Sequence, residues 1–315
     1  MVSVLLLGVV VAYAGLGQII EQVRNADWLP FLGAVALMAV ATGIGGVRWR
    51  LLLDAAEIEV SRLRAVGIFA AALFLNNVLP TSVGGDAVRT WVAGRQSRRL
   101  ARATAATIVD KGTGVLCLFL VAWIALGVNA EEVPSSLIRV LLWTSLALVV
   151  VVAAVPALAA GARPVVRRFP QVLSAVRDAR DAVRTWAGSG RLAGWLLLSG
   201  LVYQAIAVLA LVLVARTVDV ELSFALAAVC AAIVIVAMLV PISIGGLGVR
   251  EAGFVALLAE AGIGAPEATA ISLLSVAAIL LATAAIVGAV GAHRLYSRRA
   301  WRRSPSRSPS PERHG

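Results

Sequence analysis

The chain has 315 residues, of which 60% are hydrophobic and 14% charged, with a net charge of +11. A water-soluble domain of this size needs far more polar surface. Apolar runs of about 20 residues, long enough to cross a bilayer core, recur instead, so the composition predicts an all-α, polytopic membrane protein. The positive charge does not argue for nucleic acid as a partner. Lys111 is the only lysine, and the arginines cluster between apolar runs and in the C-terminal tail, as signals that orient membrane insertion do.

In chain order, residues 2–20 form the first apolar run. They lack the basic start of a signal peptide and read as a retained transmembrane helix. A second span is predicted at 29–47. The following segment, 48–64, holds Arg48, Arg50, Arg62 and Arg64, and Arg48-Trp49-Arg50 reads as an anchor at the membrane interface. Residues 65–79 are too short to cross comfortably. They run into Pro80 and Gly84-Gly85, and the chain continues as 86–102. Spans follow at 104–127 and 137–160. Segment 161–191 is Arg-rich, and within it 170–187 sets Val172, Val176, Val183 and Trp186 near helical spacing, as in a helix lying on the membrane surface. A span at 192–214 precedes a second interrupted run, 223–240, which meets Pro241 and Gly245-Gly246 and continues to Gly262. The last span is predicted at 267–291. The membrane-embedded domain then covers 1–295, and 296–315 reads as a basic, disordered cytoplasmic tail attracted to anionic lipid.

Charge sets the topology. The Arg-rich segments 48–64 and 161–191 and the tail belong in the cytoplasm, and the acid-bearing loops 21–28, 128–136 and 215–222 belong outside. Both termini are therefore expected in the cytoplasm of a cell-membrane protein. Counting crossings makes 65–102 start and finish inside and 223–263 start and finish outside. Each is read as a re-entrant hairpin, dipping from opposite faces. Two short crossings in place of one hairpin is the alternative.

A repeat supports the hairpins independently. LPTSVGGDAVR at 79–89 and VPISIGGLGVR at 240–250 share six of eleven positions. Irregular backbone at membrane depth is tolerated where it is buried in protein or lines a wet cavity. Pro80 and Pro241 end the incoming helices. Gly84, Gly85, Gly245 and Gly246 permit tight turns and close approach to a ligand. Ser82 and Ser243 cap the returning helices, whose N-termini attract anions. Arg89 and Arg250 add a planar, charged fork suited to phosphate. Interrupted segments at matching places in two halves point to a transporter's central site. Asn76, Asp86, Asp110, Lys111 and Glu251 are the other candidates for binding the substrate, with structural ion pairs as the plainer reading.

No catalytic residue, metal or cofactor is expected. Cys117 and Cys230 lie in apolar segments, and His293 and His314 lie near the C-terminal end, so no ligand cluster is available. No nucleotide-binding loop is present, and ion coupling is undetermined.

Four stretches resemble the lysylphosphatidylglycerol synthase transmembrane-region, or flippase-like, family. They are RWRLLL at 48–53, NNVLPTSVGGDAVR at 76–89, VDKGTG at 109–114 and PISIGGLGVREAGFVALL at 241–258. Lys111 departs mildly from the family, which more often has an acidic residue followed by Arg there. The resemblance implies a stand-alone, lipid-handling member without the synthase domain. Expected partners are membrane lipids, either an anionic phospholipid or a polyprenyl-phosphate-linked lipid, and envelope-biosynthesis proteins. The sequence leaves the oligomeric state open. The leading reading is a lipid flippase or transporter rather than an enzyme. An accessory membrane subunit of an envelope lipid or glycolipid pathway, or a polyprenyl-phosphate-dependent transferase, are the alternatives.

Overall fold

The computed structural model describes residues 14–79, 84–166, 180–239 apart from 182, 185 and 187, and 248–303. The described regular structure is helical: α1 (Leu16–Arg24), α2 (Trp28–Ala55), α3 (Arg62–Val78), α4 (Gly84–Ser97), α5 (Leu100–Asn129), a short 3-10 turn (Ala130–Glu132), α6 (Ser135–Val166), α7 (Gly190–Thr217), α8 (Phe224–Leu239), α9 (Val249–Ala259) and α10 (Ala265–Arg303). Helices α2, α5, α6, α7 and α10 are long and apolar enough to cross a membrane. They correspond to five of the six predicted spans. The first, 2–20, lies outside the described residues up to position 13, as do residues 304–315 of the tail. Helix α10 continues to Arg303, past the predicted start of the tail.

Helix α2 also differs from the prediction. It runs on to Ala55, so Arg48 and Trp49 are not interfacial. Leu51, Leu52 and Leu53 follow them and carry the apolar helix nearly two turns further. Trp49, Leu52 and Leu53 are fully buried. The surface-helix segment 170–187 is mostly outside the described residues, but Trp186 is buried against the cluster that holds Trp49 and Leu196.

The interrupted segments form two packed pairs, α3 with α4 and α8 with α9. At 1.5 Å per residue, the 17-residue α3 and 14-residue α4 are about 26 and 21 Å long. The 16-residue α8 and 11-residue α9 are about 24 and 17 Å long. None of the four matches a hydrocarbon core of about 30 Å.

Contacts between loops show where each pair opens. The Glu57 carboxylate, just past α2, pairs with Arg99 and with Arg102 at 3.0 Å, beside the start of α5. The α3–α4 pair therefore leaves and rejoins one face of the bundle. At the other end of α2, the Asp27 N–H donates to the Thr217 carbonyl at 3.0 Å. There Gln22 also donates to Glu267 at 3.1 Å and Ser136 donates to Glu260 at 2.7 Å. The α8–α9 pair thus starts and finishes at this second face. Helix α2, about 42 Å long over its 28 residues, separates the two faces.

Two apolar clusters fill the bundle. One, towards the Asp27 face, includes Phe31, Met38, Leu118 and Leu126; the other, towards the Glu57 face, includes Trp49, Leu53, Ala103 and Ala106. In α2 and α5 the boundary between them falls at Arg48 and Asp110. Small residues let the helices close in around that boundary. A Cβ on Gly46 would lie 2.6 Å from the Val66 backbone, and one on Gly85 would lie 1.9 Å from the Ala72 carbonyl oxygen.

Candidate functional site

The boundary between the two clusters carries an alternating chain of charges. Arg48 donates from Nε to Asp110 Oδ1 at 2.8 Å and from Nη2 to the Asp110 backbone carbonyl at 3.3 Å. Arg89 donates from Nη1 to Asp110 Oδ2 at 2.8 Å and from Nε to Asp86 Oδ1 at 2.9 Å. Lys111 donates to Asp86 Oδ2 at 2.7 Å. Three helices are joined this way: α2 through Arg48, α4 through Asp86 and Arg89, and α5 through Asp110 and Lys111, with α3 packed alongside.

Aromatic rings hold the guanidinium groups in place. Arg89 lies 5.4 Å from the Trp49 ring centre and 5.1 Å from that of Phe69, and Arg48 lies 5.6 Å from that of Tyr203. Such stacking suits arginine better than lysine. The side chains of Arg48, Arg89 and Asp110 are each 4% exposed or less. Charges that deep stand only because each is paired and hydrogen-bonded. Arg48 Nη1, nevertheless, has no acceptor among the described residues.

A cavity of about 400 Å³ opens against this chain. That is within the range of small-molecule sites. Its polar wall includes Arg48, Asn76, Asp86, Arg89, Asp110, Lys111, Gln204 and Arg250. Its apolar wall is built largely from Leu211, Val234, Ile235, Met238, Phe254 and Ile279. Both hairpins contribute, since Asn76 and Arg89 come from the first and Met238, Arg250 and Phe254 from the second. Helix rise gives the depth. Arg89 is eight residues before the end of α4 and Asp110 ten after the start of α5, so they lie about 12–15 Å below the Glu57 face. Arg250, nine residues before the end of α9, lies about 14 Å below the opposite face.

The candidates read from the sequence separate by position. Arg89, Arg250, Asp86, Asp110, Lys111 and Asn76 share the cavity wall. Glu251 does not reach it. It is fully buried behind Arg250, accepting from Arg250 Nη2 at 2.6 Å, the Gly248 N–H at 2.6 Å and Ser272 at 3.3 Å. At the start of α9 the carboxylate attracted by the helix end is thus the protein's own. Gly84 and Gly85 form the first turn of α4. The Gly85 N–H donates to Asn76 Oδ1 at 2.8 Å, which fastens the two arms of the hairpin together. Ser82, Ser243, Gly245 and Gly246, with Pro80 and Pro241, lie outside the described residues.

Sequence reasoning missed Arg48, Tyr203 and Gln204. Gln204 donates to the Gly114 carbonyl at 2.7 Å, tying α7 to α5 at the cavity. The signal was present. Tyr203-Gln204 is a polar pair in the middle of an apolar run, and Arg48 is followed by further apolar helix.

Comparison with known proteins agrees with this architecture. Residues 1–289 match the model of the lysylphosphatidylglycerol synthase TM region. A UPF0104 membrane protein from Methanothermobacter thermautotrophicus is 27% identical over 113 residues, 35% of this chain and 33% of that protein. A UPF0104 membrane protein from Pyrococcus horikoshii is 29% identical over 138 residues, 41% of each chain. The matched segments thus span less than half the length of these relatives. No solved structure matches the chain. It is a multi-pass membrane protein that belongs to the lysylphosphatidylglycerol synthase transmembrane-region family.

Proposed function

We propose that the protein binds the anionic head group of a membrane lipid in the cavity between the two hairpins and carries it between leaflets. The observation that carries this reading is the composition of one cavity wall. Arg89 from one hairpin and Arg250 from the other, which open on opposite faces, line the same space beside an apolar surface. A phosphate group meets forked donors there, and acyl chains meet the apolar wall. A mid-depth site reached by broken helices from both faces is the arrangement that alternating access requires. The Arg-rich Glu57 face is assigned to the cytoplasm of a cell membrane, with both termini on that side. No catalytic step is assigned to the chain.

The test is lipid movement in proteoliposomes, using phosphatidylglycerol labelled in one leaflet. Wild-type protein is expected to speed its equilibration, and Arg89→Gln and Arg250→Gln to abolish that effect while eluting as the wild type in detergent. Unchanged transport in both variants overturns the reading. If either variant fails to fold, Asn76→Ala and Gln204→Ala supply the same comparison from neutral positions of the wall.

A further inference from the structure

The charges around the cavity do not cancel. Arg48, Arg89, Lys111 and Arg250 are the described cations on its wall, and Asp86 and Asp110 the described carboxylates. Glu251, directly behind Arg250, is a third carboxylate. Four cations against three anions leave one positive charge. The segments joining the hairpin arms, 80–83 and 240–247, contain no charged residue and do not alter the count. An uncompensated charge in a medium of low polarity is costly, and a counter-ion relieves the cost.

Resting on the lipid-binding reading above, we infer that the cavity selects a head group with a single net negative charge. This is a phosphodiester such as that of phosphatidylglycerol. One negative charge brings the site to neutrality. The dianion of a phosphomonoester carries it past neutrality, and a net-positive aminoacylated head group adds to the excess. The hydrogen bonds argue the same way. Both oxygens of Asp110 already accept from arginines, and both oxygens of Asp86 accept from Arg89 and Lys111. An incoming ammonium would find each carboxylate engaged. An incoming phosphate group would instead face the guanidinium groups of Arg48, Arg89 and Arg250, whose side chains line the cavity.

The experiment is competition for the full chain in detergent, with fluorescent phosphatidylglycerol as the bound probe. Competitors are unlabelled phosphatidylglycerol, phosphatidylethanolamine, lysylphosphatidylglycerol and a polyprenyl monophosphate. Phosphatidylglycerol is expected to displace the probe at a concentration about tenfold or more below each of the others, since a unit of charge at contact distance is worth at least that. Lys111→Gln removes the excess charge and leaves the Arg48–Asp110–Arg89–Asp86 chain in place. It is expected to bring phosphatidylethanolamine to within about threefold of phosphatidylglycerol. Equal or stronger displacement by the cationic or dianionic lipid overturns the charge inference while leaving lipid binding intact. Failure of the probe and of every competitor to bind overturns the lipid-binding reading itself.

Discussion

Replacing Asp110 by Asn keeps the shape of the side chain and removes its charge. The consequence follows from two contacts of 2.8 Å, one to Arg48 and one to Arg89. At an effective dielectric near 20, each is worth about 6 kcal/mol of Coulomb energy before solvation is counted. Most of that is offset by the cost of taking the charges out of water. What the variant loses is the compensation, since two buried guanidinium groups must then share a neutral amide. Removing one partner of a buried pair costs about 3–5 kcal/mol, a fall in Tm on the order of 10 °C. The assay is thermal unfolding of purified protein in detergent, followed with a dye that fluoresces on reacting with thiols. Cys117 and Cys230 are free and buried, so they react as the bundle opens. Adding Arg48→Met to Asp110→Asn removes one of the stranded cations, and the double variant is expected to recover part of the loss. A wild-type Tm for Asp110→Asn would refute the argument, because it would mean that the charges are solvated rather than held by one another.

Further predictions use the same assay. Gly85→Ala drives a methyl group into the Ala72 carbonyl oxygen, 1.9 Å away, and is expected to cost about 1–3 kcal/mol; Gly112→Ala, with nothing within 4 Å, serves as the control and is expected to be neutral or slightly stabilising. Glu251→Gln leaves Arg250 without its counter-charge and weakens the hydrogen bond to the Gly248 N–H, so a loss of about 3 kcal/mol is expected, against no change if Glu251 is an unimportant neighbour. The hydrogen bond from Arg99, then the charges of Arg99 and Arg102, hold the Glu57 carboxyl below the ordinary glutamate range. With the folded value depressed, the contribution is complete above that range and is lost as pH falls through it. The Tm difference between wild type and Glu57→Gln, small because Glu57 is largely exposed, should therefore be present at pH 7 and vanish under acid; a difference that grows on acidification contradicts the assignment.

The spans were legible because a bilayer imposes a length and a polarity that few other environments share. Helices α5, α6, α7 and α10 fall where the apolar runs lie. The hairpins were legible for a different reason, since Arg placement counts crossings and the two uncrossed segments carry the same motif. The site was only half legible. Arg89 and Asp86 are three residues apart, so their pairing follows from helix geometry alone. That Arg48 shares Asp110 with Arg89 depends on how α2, α4 and α5 pack, and no local spacing encodes it. Arg48 was misplaced because an arginine at the edge of an apolar run normally marks the membrane surface. Glu251 was placed at the ligand because sequence adjacency to Arg250 does not tell which of two neighbours faces a cavity. The helix turns about 100° per residue there, and it puts one at the wall and the other behind it.

The depth of the charge cluster also has an electrical meaning. The Arg48–Asp110–Arg89–Asp86 chain lies about 12–15 Å below one face of a bundle that α2 spans in about 42 Å, so a fixed charge there lies roughly a third of the way across the membrane potential. Each unpaired unit there exchanges roughly 1 kcal/mol with a potential of about 100 mV. The pairs Arg89–Asp86 and Arg250–Glu251 are dipoles that feel little of this. The one unbalanced positive charge is different, because the voltage acts on it directly. On the proposed lipid-binding reading, the empty cavity and the cavity neutralised by a bound anion therefore differ in electrical energy in an energised membrane, and the balance between them shifts with the voltage even when the lipid composition stays the same.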